Sequence, residues 1–513
     1  MAPLFGPRWA VVLAALSGFV IWLAFAPVAI GWLAIPGVAL LTAAAWGASV
    51  RRGLLVGFIA GLAFFPLLLL WMRIVGMDAW VLLSLFCALW FALLGAGTAL
   101  VTRLPAAPVW VGALWVLEEA LRGRVPLGGF PWGDLVFAQP DTLLLHYAPL
   151  GGAAFVSFVI AVIGAVVVAA LVDLRRGSPR SSAMWAVVAV ILVIAPVAIR
   201  VPTSGDTEGG PESAVVAVIQ GGTPHTGMGA FDVRREVLDN HVAQTIALAE
   251  AVAAGTAEQP DFVLWPENSS DIDPFEDPTA AAAISTAARA INVPILVGAV
   301  ITAGDDQTRA WNVGIVWDPL TGPGQMYIKT HPVPFGEYVP FRDLLASRID
   351  RLGRISRDFA PGSAPGNLTI AGIPVGDVIC FEVAYDEIVA AVVDGGARLL
   401  TVQTNNATFA GGSQPAQQLA ISRVRATEFG RTVAVAATSG ISAIIAPDSS
   451  ITSQMDEGQT GWLVERVALR GGSTPAAVIG GFVLLGLCGL AVGAIVAAIV
   501  RGRRSRGRRQ PIA

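Results

Sequence analysis

The chain has 513 residues, of which 55% are hydrophobic and only 14% are charged, and its formal net charge is −4. A soluble domain carries about 25% charged residues, so this composition indicates a protein with a large membrane part. Nucleic acid binding has no support: the basic residues at 501–509 directly follow an apolar run, which favours a cytoplasmic membrane flank over a nucleic-acid patch.

Apolar runs long enough to approach a membrane span fill residues 1–201, and one more follows a long polar stretch. A signal peptide is the alternative for the first run, but no small-residue cleavage site follows it and a second run begins at once. We therefore predict a multi-pass α-helical membrane domain of about eight transmembrane helices. The predicted spans are 9–25, 30–46, 54–70, 79–101, 108–121, 150–171, 184–199 and 476–500.

Arginines after the even-numbered spans predict the orientation in the membrane, because positively charged loops mark the cytoplasmic side. With eight spans, both termini are cytoplasmic. The expected organisation is seven helices in residues 1–201, an extracytoplasmic domain in 202–472, the eighth helix in 473–500 and a basic cytoplasmic tail in 501–513. The arginines that carry this argument outside the tail are Arg51, Arg52, Arg103, Arg175, Arg176 and Arg180.

The loop at residues 122–149 contains the aromatic and glycine-rich sequence GGFPWG at 128–133. Such sequence at a membrane surface often marks an interfacial belt. A docking surface for a lipid or a lipid-modified partner is the functional alternative. The sequence leaves both interpretations open.

Strand-like and helix-like segments alternate through residues 213–447. This alternation, with two strand-rich insertions, predicts two sheets covered by helices in a layered α/β arrangement. The predicted strands are 214–219, 262–265, 293–301, 310–317, 325–329, 368–380, 398–403, 432–437 and 442–447, and the predicted helices are 232–253, 280–291 and 414–429.

Cys380 ends the apolar run at 373–379, and a helical pattern begins near Tyr385. At such a position a helix dipole and nearby cations lower the pKa of a thiol from its free value of about 8.5, which predicts a reactive thiolate. The alternative is a buried structural thiol, the commoner state of free cysteine. Cys87 and Cys488 lie within apolar runs, so neither a disulfide framework nor a cysteine zinc site is indicated. The four histidines show no metal-ligand spacing, and we expect no metal and no cofactor.

Two further strand ends carry charged residues. Glu267 follows the strand at 262–265 and could accept the proton of a thiol, while Lys329 ends the strand at 325–329 and could stabilise an oxyanion. Each residue by itself is more often a surface residue at a strand end. Together with Cys380, on separate strands of one domain, they predict a nucleophile site. The proline-pinned loop after Lys329 carries a second glutamate, Glu337.

Four motifs carry a family resemblance: WPE at 265–267, YIKTHPVPFGEYVPF at 327–341, CFE at 380–382 and TNNATF at 404–409. They resemble the nitrilase superfamily of carbon–nitrogen hydrolases. With the membrane spans on either side, the chain is similar to the membrane branch of that superfamily, the apolipoprotein N-acyltransferase family. The resemblance implies a nitrilase-like αββα sandwich on the outer side of the bacterial cytoplasmic membrane.

The resemblance also implies roles for particular residues. Glu267, Lys329 and Cys380 match the catalytic triad. Glu337 matches an essential glutamate of a mobile loop, and Phe381 and Glu382 match the aromatic and acidic residues beside the cysteine. We expect these two residues to shape the wall of the acyl pocket and the hydrogen bonding around the thiolate. The apolar loop around Glu337 could shield a thioester from water. Its candidate lid and lipid-contact residues are Phe335, Tyr338 and Phe341.

The implied activity is a ping-pong acyl transfer without a cofactor. A phospholipid donates its sn-1 acyl chain to the cysteine, and the thioester is attacked by the α-amino group of a diacylglyceryl-cysteine at a lipoprotein N-terminus. The expected partners are therefore a phospholipid, a diacylglyceryl-modified apolipoprotein and the bilayer, and a monomer is expected. The alternatives are a membrane-anchored hydrolase of small amides or nitriles, and a catalytically inactive receptor or scaffold. Retention of all three triad residues argues against the inactive protein.

The chain departs from the family in two places. Many members have Asp-Ala-Trp-Phe where this chain has Asn406-Ala407-Thr408-Phe409. Many also have a tryptophan several residues after the position of Gly221, and here residues 223–229 contain none. Both differences concern contacts with lipid and leave the triad intact.

Overall fold

A computed structural model describes residues 2–199, 212–225, 227, 235–304, 306–345, 349, 352–353 and 357–507. The chain divides into two compact units, Met1–Val201 with Val478–Ala513, and Pro202–Ala477. Three predicted features lie outside the described residues: the domain boundary at 201/202, the start of the helix predicted at 232, and residues 508–513 of the basic tail.

The first unit is built from apolar helices joined by turns and short 3₁₀ segments. The helices are α1 (Pro7–Leu23), α2 (Ala34–Ala45), α3 (Val50–Leu68), α4 (Met77–Val101), α5 (Ala107–Arg122), α6 (Ala148–Arg175) and α7 (Pro179–Ile194), with the C-terminal helix Pro475–Gly507. Small residues allow close helix contacts. A Cβ atom on Gly18 of α1, for example, would lie 2.1 Å from the carbonyl oxygen of Ala60 in α3.

Among the described residues, five helices are long and apolar enough to cross a membrane: Val50–Leu68, Met77–Val101, Leu143–Arg175, Pro179–Ala198 and Pro475–Arg504. The other three predicted spans fall on α1, α2 and α5, which have 17, 12 and 16 residues. A span needs about 20 residues, so these helices are short for the purpose. The structure thus supports a membrane region, and the count of eight spans is not confirmed.

Part of the loop after α5 is folded into the interior of the helical unit. The buried guanidinium of Arg122 donates to Glu118 Oε1 at 2.8 Å and to Asp134 Oδ1 at 2.9 Å, and it also donates to the carbonyl oxygens of Phe130 and Trp132. Trp132 is buried as well. Residues 124–127 of the same loop are exposed, so the interfacial belt and the docking surface both stay predictions for that part of the loop.

The second unit is a layered α/β domain. Its strands are β1 (Ser213–Gln220), β2 (Phe262–Leu264), β3 (Ile295–Ala303), β4 (Asp306–Asp318), β5 (Gly322–Ile328), β6 (Asp358–Phe359), β7 (Asn367–Ile370), β8 (Ile373–Ile379), β9 (Leu399–Thr404), β10 (Val433–Ala437), β11 (Ser442–Ile445), β12 (Ile451–Met455) and β13 (Gly461–Ala468). Its helices are α8 (Glu236–Ala253), α9 (Pro278–Ile291), α10 (Arg342–Leu345), α11 (Asp386–Asp394) and α12 (Gln414–Phe429).

Two sheets pack face to face in the described part of this unit. One has the strand order β13-β1-β2-β3-β4-β5, with β6 paired to β4, and the other has the order β12-β11-β10-β9-β8-β7. Apolar residues of both sheets, such as Val216 and Leu264 from one and Val375 and Ile379 from the other, share one core. Helices α8 and α9 contribute to a second core on the outer face of the first sheet. Helices α11 and α12 contact the second sheet. The predicted layered α/β arrangement is confirmed.

Local differences from the predicted elements have simple causes. The strand predicted at 368–380 is the antiparallel pair β7 and β8, because Ala371 and Gly372 form a turn with positive φ values of 50° and 78°. Strand β13 was not predicted, since Glu465 and Arg466 interrupt its apolar pattern, yet it pairs with all of β1. Helix α12 spans the predicted residues and ends at Gly430, whose φ of 60° suits a helix terminus.

Candidate active site

The structure brings the three predicted strand-end residues together. Glu267 lies in the loop after β2, Lys329 directly follows β5, and Cys380 directly follows β8. Strands β2 and β5 belong to the first sheet and β8 to the second. The residues meet because the two sheets pack face to face with these strand ends at one edge of the shared core.

Lys329 is held between two carboxylates. Its Nζ lies 3.0 Å from Glu267 Oε1 and 2.9 Å from Glu337 Oε1. Burial acts to lower the pKa of Lys329, but the charges of Glu267 and Glu337 hold that pKa well above its ordinary value. Lys329 is therefore a permanent cation in an almost water-free position, next to the residues expected to react.

Asn312, which was not predicted from the sequence, also contacts both carboxylates. Its Nδ2 donates to Glu267 Oε1 at 2.7 Å and to Glu337 Oε1 at 2.8 Å. The residue lies in β4, 2% exposed. An asparagine within the apolar run of β4 is the signal that could have identified it, because a buried amide requires hydrogen-bond partners. Asn312 and Lys329 together fix the two glutamates in one geometry.

Cys380 has a left-handed backbone conformation, with φ of 56°, in the sharp turn from β8 into the 3₁₀ turn Cys380–Ala384. A non-glycine residue with positive φ is uncommon and is often found at functional sites. The residue as a whole is of intermediate exposure and packs against the core shared by the two sheets, whereas Cys87 is buried. Its Sγ accepts a hydrogen bond from Thr404 Oγ1 at 3.3 Å.

The expected lowering of the thiol pKa is wrong for this structure. Burial, with a further contribution from the Glu267 carboxylate, raises the pKa of Cys380 to about 12, and the opposing effect of Lys329 is smaller. The resting residue is therefore a neutral thiol. The backbone N–H of Asn405 interacts with the Cys380 sulfur and donates to Glu267 Oε2 at 3.0 Å. The thiol and a carboxylate that can take its proton are therefore neighbours.

Glu382 ties the cysteine turn to the loop that follows Lys329. The buried carboxylate accepts hydrogen bonds from the backbone N–H groups of Thr330, His331 and Ile379 at 2.8 to 3.0 Å, and from the Tyr327 hydroxyl at 2.9 Å. No hydrogen bond from Glu382 to the sulfur is present within the described residues. Its contacts therefore align two loops, in place of the expected hydrogen bonding around the thiolate. Burial raises the pKa of Glu382.

The loop that carries Glu337 exposes two of the predicted lid residues. Phe335 and Phe341 are 47% and 72% exposed, whereas Tyr338 is half-buried. The turn is closed by the N–H of Phe335, which donates to the Tyr338 carbonyl at 2.7 Å. Both phenylalanines have positive φ values, 63° and 53°. Phe381 packs edge-on against Tyr385, at a centroid distance of 5.5 Å.

The histidines of this unit have structural environments. His241 is buried, donates from Nδ1 to the Val237 carbonyl at 2.7 Å and accepts from the Gly221 N–H at 3.2 Å. Burial lowers the pKa of His241 to about 4. The ring of His331 lies 4.1 Å from that of Tyr385. Within the described residues, no group of three or more His, Cys, Asp or Glu side chains could hold a metal ion.

The asparagine that departs from the family motif has a defined environment. Asn406 Nδ2 donates to Gln414 Oε1 at 2.8 Å and to Gln418 Oε1 at 2.7 Å, so it joins the TNNATF segment to helix α12. The stretch that lacks the family tryptophan lies partly outside the described residues, since residues 226 and 228–234 are not among them.

Comparison with known proteins supports the resemblance over most of the chain. Residues 17–166 match the apolipoprotein N-acyltransferase N-terminal domain, and residues 216–472 match the carbon-nitrogen hydrolase family. An apolipoprotein N-acyltransferase of Mycolicibacterium smegmatis is 40% identical, over 95% of this chain and 85% of the relative. One of Azotobacter vinelandii is 31% identical, over 77% of this chain and 73% of the relative.

Among solved structures, a variant of the Nesterenkonia AN1 amidase from the nitrilase superfamily is 18% identical with a TM-score of 0.36, over 51% of this chain and 94% of that chain. This likeness is weak, and the assignment rests on the sequence relatives. The chain therefore belongs to the apolipoprotein N-acyltransferase family and is an acyltransferase with a carbon–nitrogen hydrolase domain.

Proposed function

We propose that this acyltransferase moves an acyl chain from a phospholipid to the α-amino group of an N-terminal diacylglyceryl-cysteine, through a thioester on Cys380, as the final step of lipoprotein maturation. The observation that carries the proposal is the junction of Cys380, Glu267 and Lys329 at one edge of the domain core. Relatives named apolipoprotein N-acyltransferase support an apolipoprotein as the acceptor of the acyl chain.

In the first half-reaction, Glu267 takes the proton of the Cys380 thiol. A base is needed because a thiol with a pKa of about 12 is almost entirely neutral at physiological pH. The sulfur attacks the sn-1 ester carbonyl, and the ammonium of Lys329 stabilises the oxyanion. The C–O bond of the ester then breaks, and Glu267 returns the proton to the leaving oxygen. The products are the thioester and a lysophospholipid.

In the second half-reaction, the α-amino group of the acceptor attacks the thioester carbonyl. Glu267 accepts a proton from the attacking nitrogen, and Lys329 again stabilises the oxyanion. The C–S bond breaks, its electron pair remains on sulfur, and the sulfur recovers a proton from Glu267. The products are the N-acylated lipoprotein and the free thiol of Cys380, so no cofactor takes part.

Transfer to an amine requires that water does not reach the thioester. The proposed shield is the loop with Phe335, Tyr338 and Phe341. This loop lies next to the site, because its Glu337 contacts Lys329. Its exposed phenyl groups suit contact with acyl chains of either substrate. Phe381 is the proposed wall of the acyl pocket beside the cysteine.

The proposed organisation in the membrane follows the distribution of apolar runs and arginines. Residues 1–201 carry seven spans, residues 202–472 form the extracytoplasmic catalytic domain, residues 473–500 form the eighth span, and residues 501–513 are a cytoplasmic tail. The protein acts as a monomer in the bacterial cytoplasmic membrane. Both substrates then reach the site from the outer leaflet.

The decisive experiment is detection of the thioester. The purified protein in detergent is incubated with a phospholipid, and its intact mass is measured before and after hydroxylamine, which cleaves thioesters. We expect one acyl adduct per chain, absent in Cys380→Ala and present in Cys488→Ala, which removes a cysteine of the C-terminal helix. An adduct of normal rate in Cys380→Ala would refute Cys380 as the nucleophile.

A membrane-anchored hydrolase would use the same three residues, and product analysis separates the two activities. The wild-type protein is incubated with phospholipid and a diacylated lipopeptide, and the peptide is examined by mass spectrometry. We expect an N-acylated lipopeptide. Free fatty acid without N-acyl peptide would exclude the transferase.

A further inference from the structure

A hydroxyl group at the end of β9 touches the sulfur of Cys380. Thr404, the last residue of that strand, is buried, and its Oγ1 lies 3.3 Å from Cys380 Sγ. The same oxygen lies 3.1 Å from Gln418 Oε1 of helix α12. A hydroxyl has one proton, so Thr404 donates to only one of these two acceptors at a time.

The surrounding amides determine the direction of that proton. Gln418 Oε1 already accepts from Asn406 Nδ2 at 2.7 Å and from Gln414 Nε2 at 3.0 Å. A carbonyl oxygen has two lone pairs, and these two shorter bonds fill both. The proton of Thr404 is therefore available to the sulfur.

We propose that Thr404 is a catalytic hydrogen-bond donor to the thiolate of Cys380, and that Gln418, Gln414 and Asn406 are positioning residues for its hydroxyl. The proposal rests on the proposed function for the role of Cys380. When Glu267 removes the thiol proton, the sulfur becomes an acceptor only, and the bond from Thr404 becomes charge-assisted and therefore stronger.

The same bond serves the second half-reaction. When the acceptor amine displaces the sulfur, the C–S bond breaks and its electron pair stays on Cys380. Thr404 then donates to the departing thiolate before Glu267 returns the proton. The hydroxyl of Thr404 thus stabilises the thiolate both when it forms before attack and when it leaves the thioester. This matters because burial of the site otherwise disfavours the anion.

The arrangement also explains why an amide suits position 406 of this chain. Asn406 uses both Nδ2 protons, one for Gln414 Oε1 and one for Gln418 Oε1. A carboxylate at 406 has no proton to donate, so it could not fill the lone pair of Gln418 that competes for the Thr404 hydroxyl.

The test compares Thr404→Val, which removes the hydroxyl at nearly constant shape, with Thr404→Ser, which restores it. Thr427→Val is the matched control, because Thr427 is also a buried threonine, in the same helix as Gln418, and its Oγ1 has no hydrogen-bond partner within the described residues. The full chain in detergent is treated with iodoacetamide between pH 6 and 9. Alkylation at residue 380 is followed by peptide mass spectrometry, which separates it from the other cysteines.

We expect about tenfold slower alkylation of Cys380 in Thr404→Val at every pH, and rates within about twofold of wild type in Thr404→Ser and Thr427→Val. Gln418→Glu offers the hydroxyl an additional acceptor and should also slow the reaction, although Thr404 is still present. Thermal melting of each variant shows that it is folded, and Thr404→Ala replaces Thr404→Val if the valine variant does not melt cooperatively.

A wild-type alkylation rate in the folded Thr404→Val or Thr404→Ala variant would overturn the proposal. Thioester formation from phospholipid is measured on the same samples and should slow in Thr404→Val by a similar factor. If the wild-type protein is alkylated but forms no thioester, the proposed function fails, while the alkylation rates still decide whether Thr404 supports the thiolate.

Discussion

Asn312 provides the sharpest test of the site, because one amide group contacts both carboxylates. Replacement by alanine removes the two hydrogen bonds of 2.7 and 2.8 Å to Glu267 and Glu337. A hydrogen bond to a charged group contributes about 1.5 to 3 kcal/mol. Lys329 still contacts both carboxylates, so the base is not released completely. We expect the activation free energy of acylation to rise by about 3 kcal/mol in total, which corresponds to roughly hundredfold slower acylation.

The assay is single-turnover thioester formation from phospholipid, quenched at fixed times and quantified by intact-protein mass spectrometry. Asn367→Ala is the control, because the Asn367 amide lies in the same domain but donates to a backbone carbonyl, that of Val392, at 2.7 Å. That variant should lose thermal stability and keep its acylation rate.

Asn312→Asp distinguishes hydrogen bonding from shape. Aspartate has nearly the shape of asparagine but places a third carboxylate against Glu267 and Glu337, so acylation should be slower than in Asn312→Ala. A rate within twofold of wild type in either variant would show that the amide does not position the base, and the account of the carboxylate pair would be wrong.

The remaining predictions concern proton transfer, the cysteine turn and folding. In Glu267→Gln, thioester formation should be lost. The rate of Cys380 alkylation should still rise about tenfold per pH unit up to pH 9, because burial keeps the thiol pKa high. A plateau of that rate near pH 7 would contradict this. Glu382→Gln removes the carboxylate that accepts hydrogen bonds from three backbone N–H groups. We expect the free energy of unfolding to fall by about 2 kcal/mol and acylation to be slower. Unchanged thermal melting would contradict the role of Glu382 in aligning the two loops. Burial lowers the folded-state pKa of His241 to about 4. The neutral ring therefore contributes about 3 kcal/mol to the free energy of unfolding, and this contribution is fully present above pH 6.5 and is lost as the pH falls toward 4. His241→Gln should therefore melt with a weaker pH dependence than wild type between pH 7.5 and 4.5, and an unchanged dependence would contradict this account.

The loop that carries Glu337 exposes apolar side chains beside the site. Phe335 and Phe341 expose large apolar surfaces in a loop that also delivers Glu337 to Lys329. Such exposure is unfavourable in water, and contact with acyl chains would remove it. The same loop therefore combines exposed apolar side chains with the carboxylate that contacts Lys329, as the proposed contact with lipid requires.

The sequence by itself was sufficient for features that depend on local pattern. The low charge content and the apolar runs indicated the membrane part, because composition alone decides whether a segment can avoid water. The helix predicted at 414–429 has the same bounds in the structure, Gln414–Phe429. The motifs around Glu267, Lys329 and Cys380 indicated the family, since each combines a strand end with a chemically specific residue.

Tertiary structure decided the features that depend on distant residues. Asn312 meets Glu267 across 45 positions of the chain, and Thr404 meets Cys380 across 24. An asparagine in an apolar strand indicates a buried polar residue, but the local sequence does not identify its partner. The pKa of Cys380 moved in the direction opposite to the prediction, because burial and a neighbouring carboxylate outweigh the cation, and burial is a property of the packed domain. Helix lengths likewise depend on where turns form in the packed unit, which is why α1, α2 and α5 are shorter than a full membrane span.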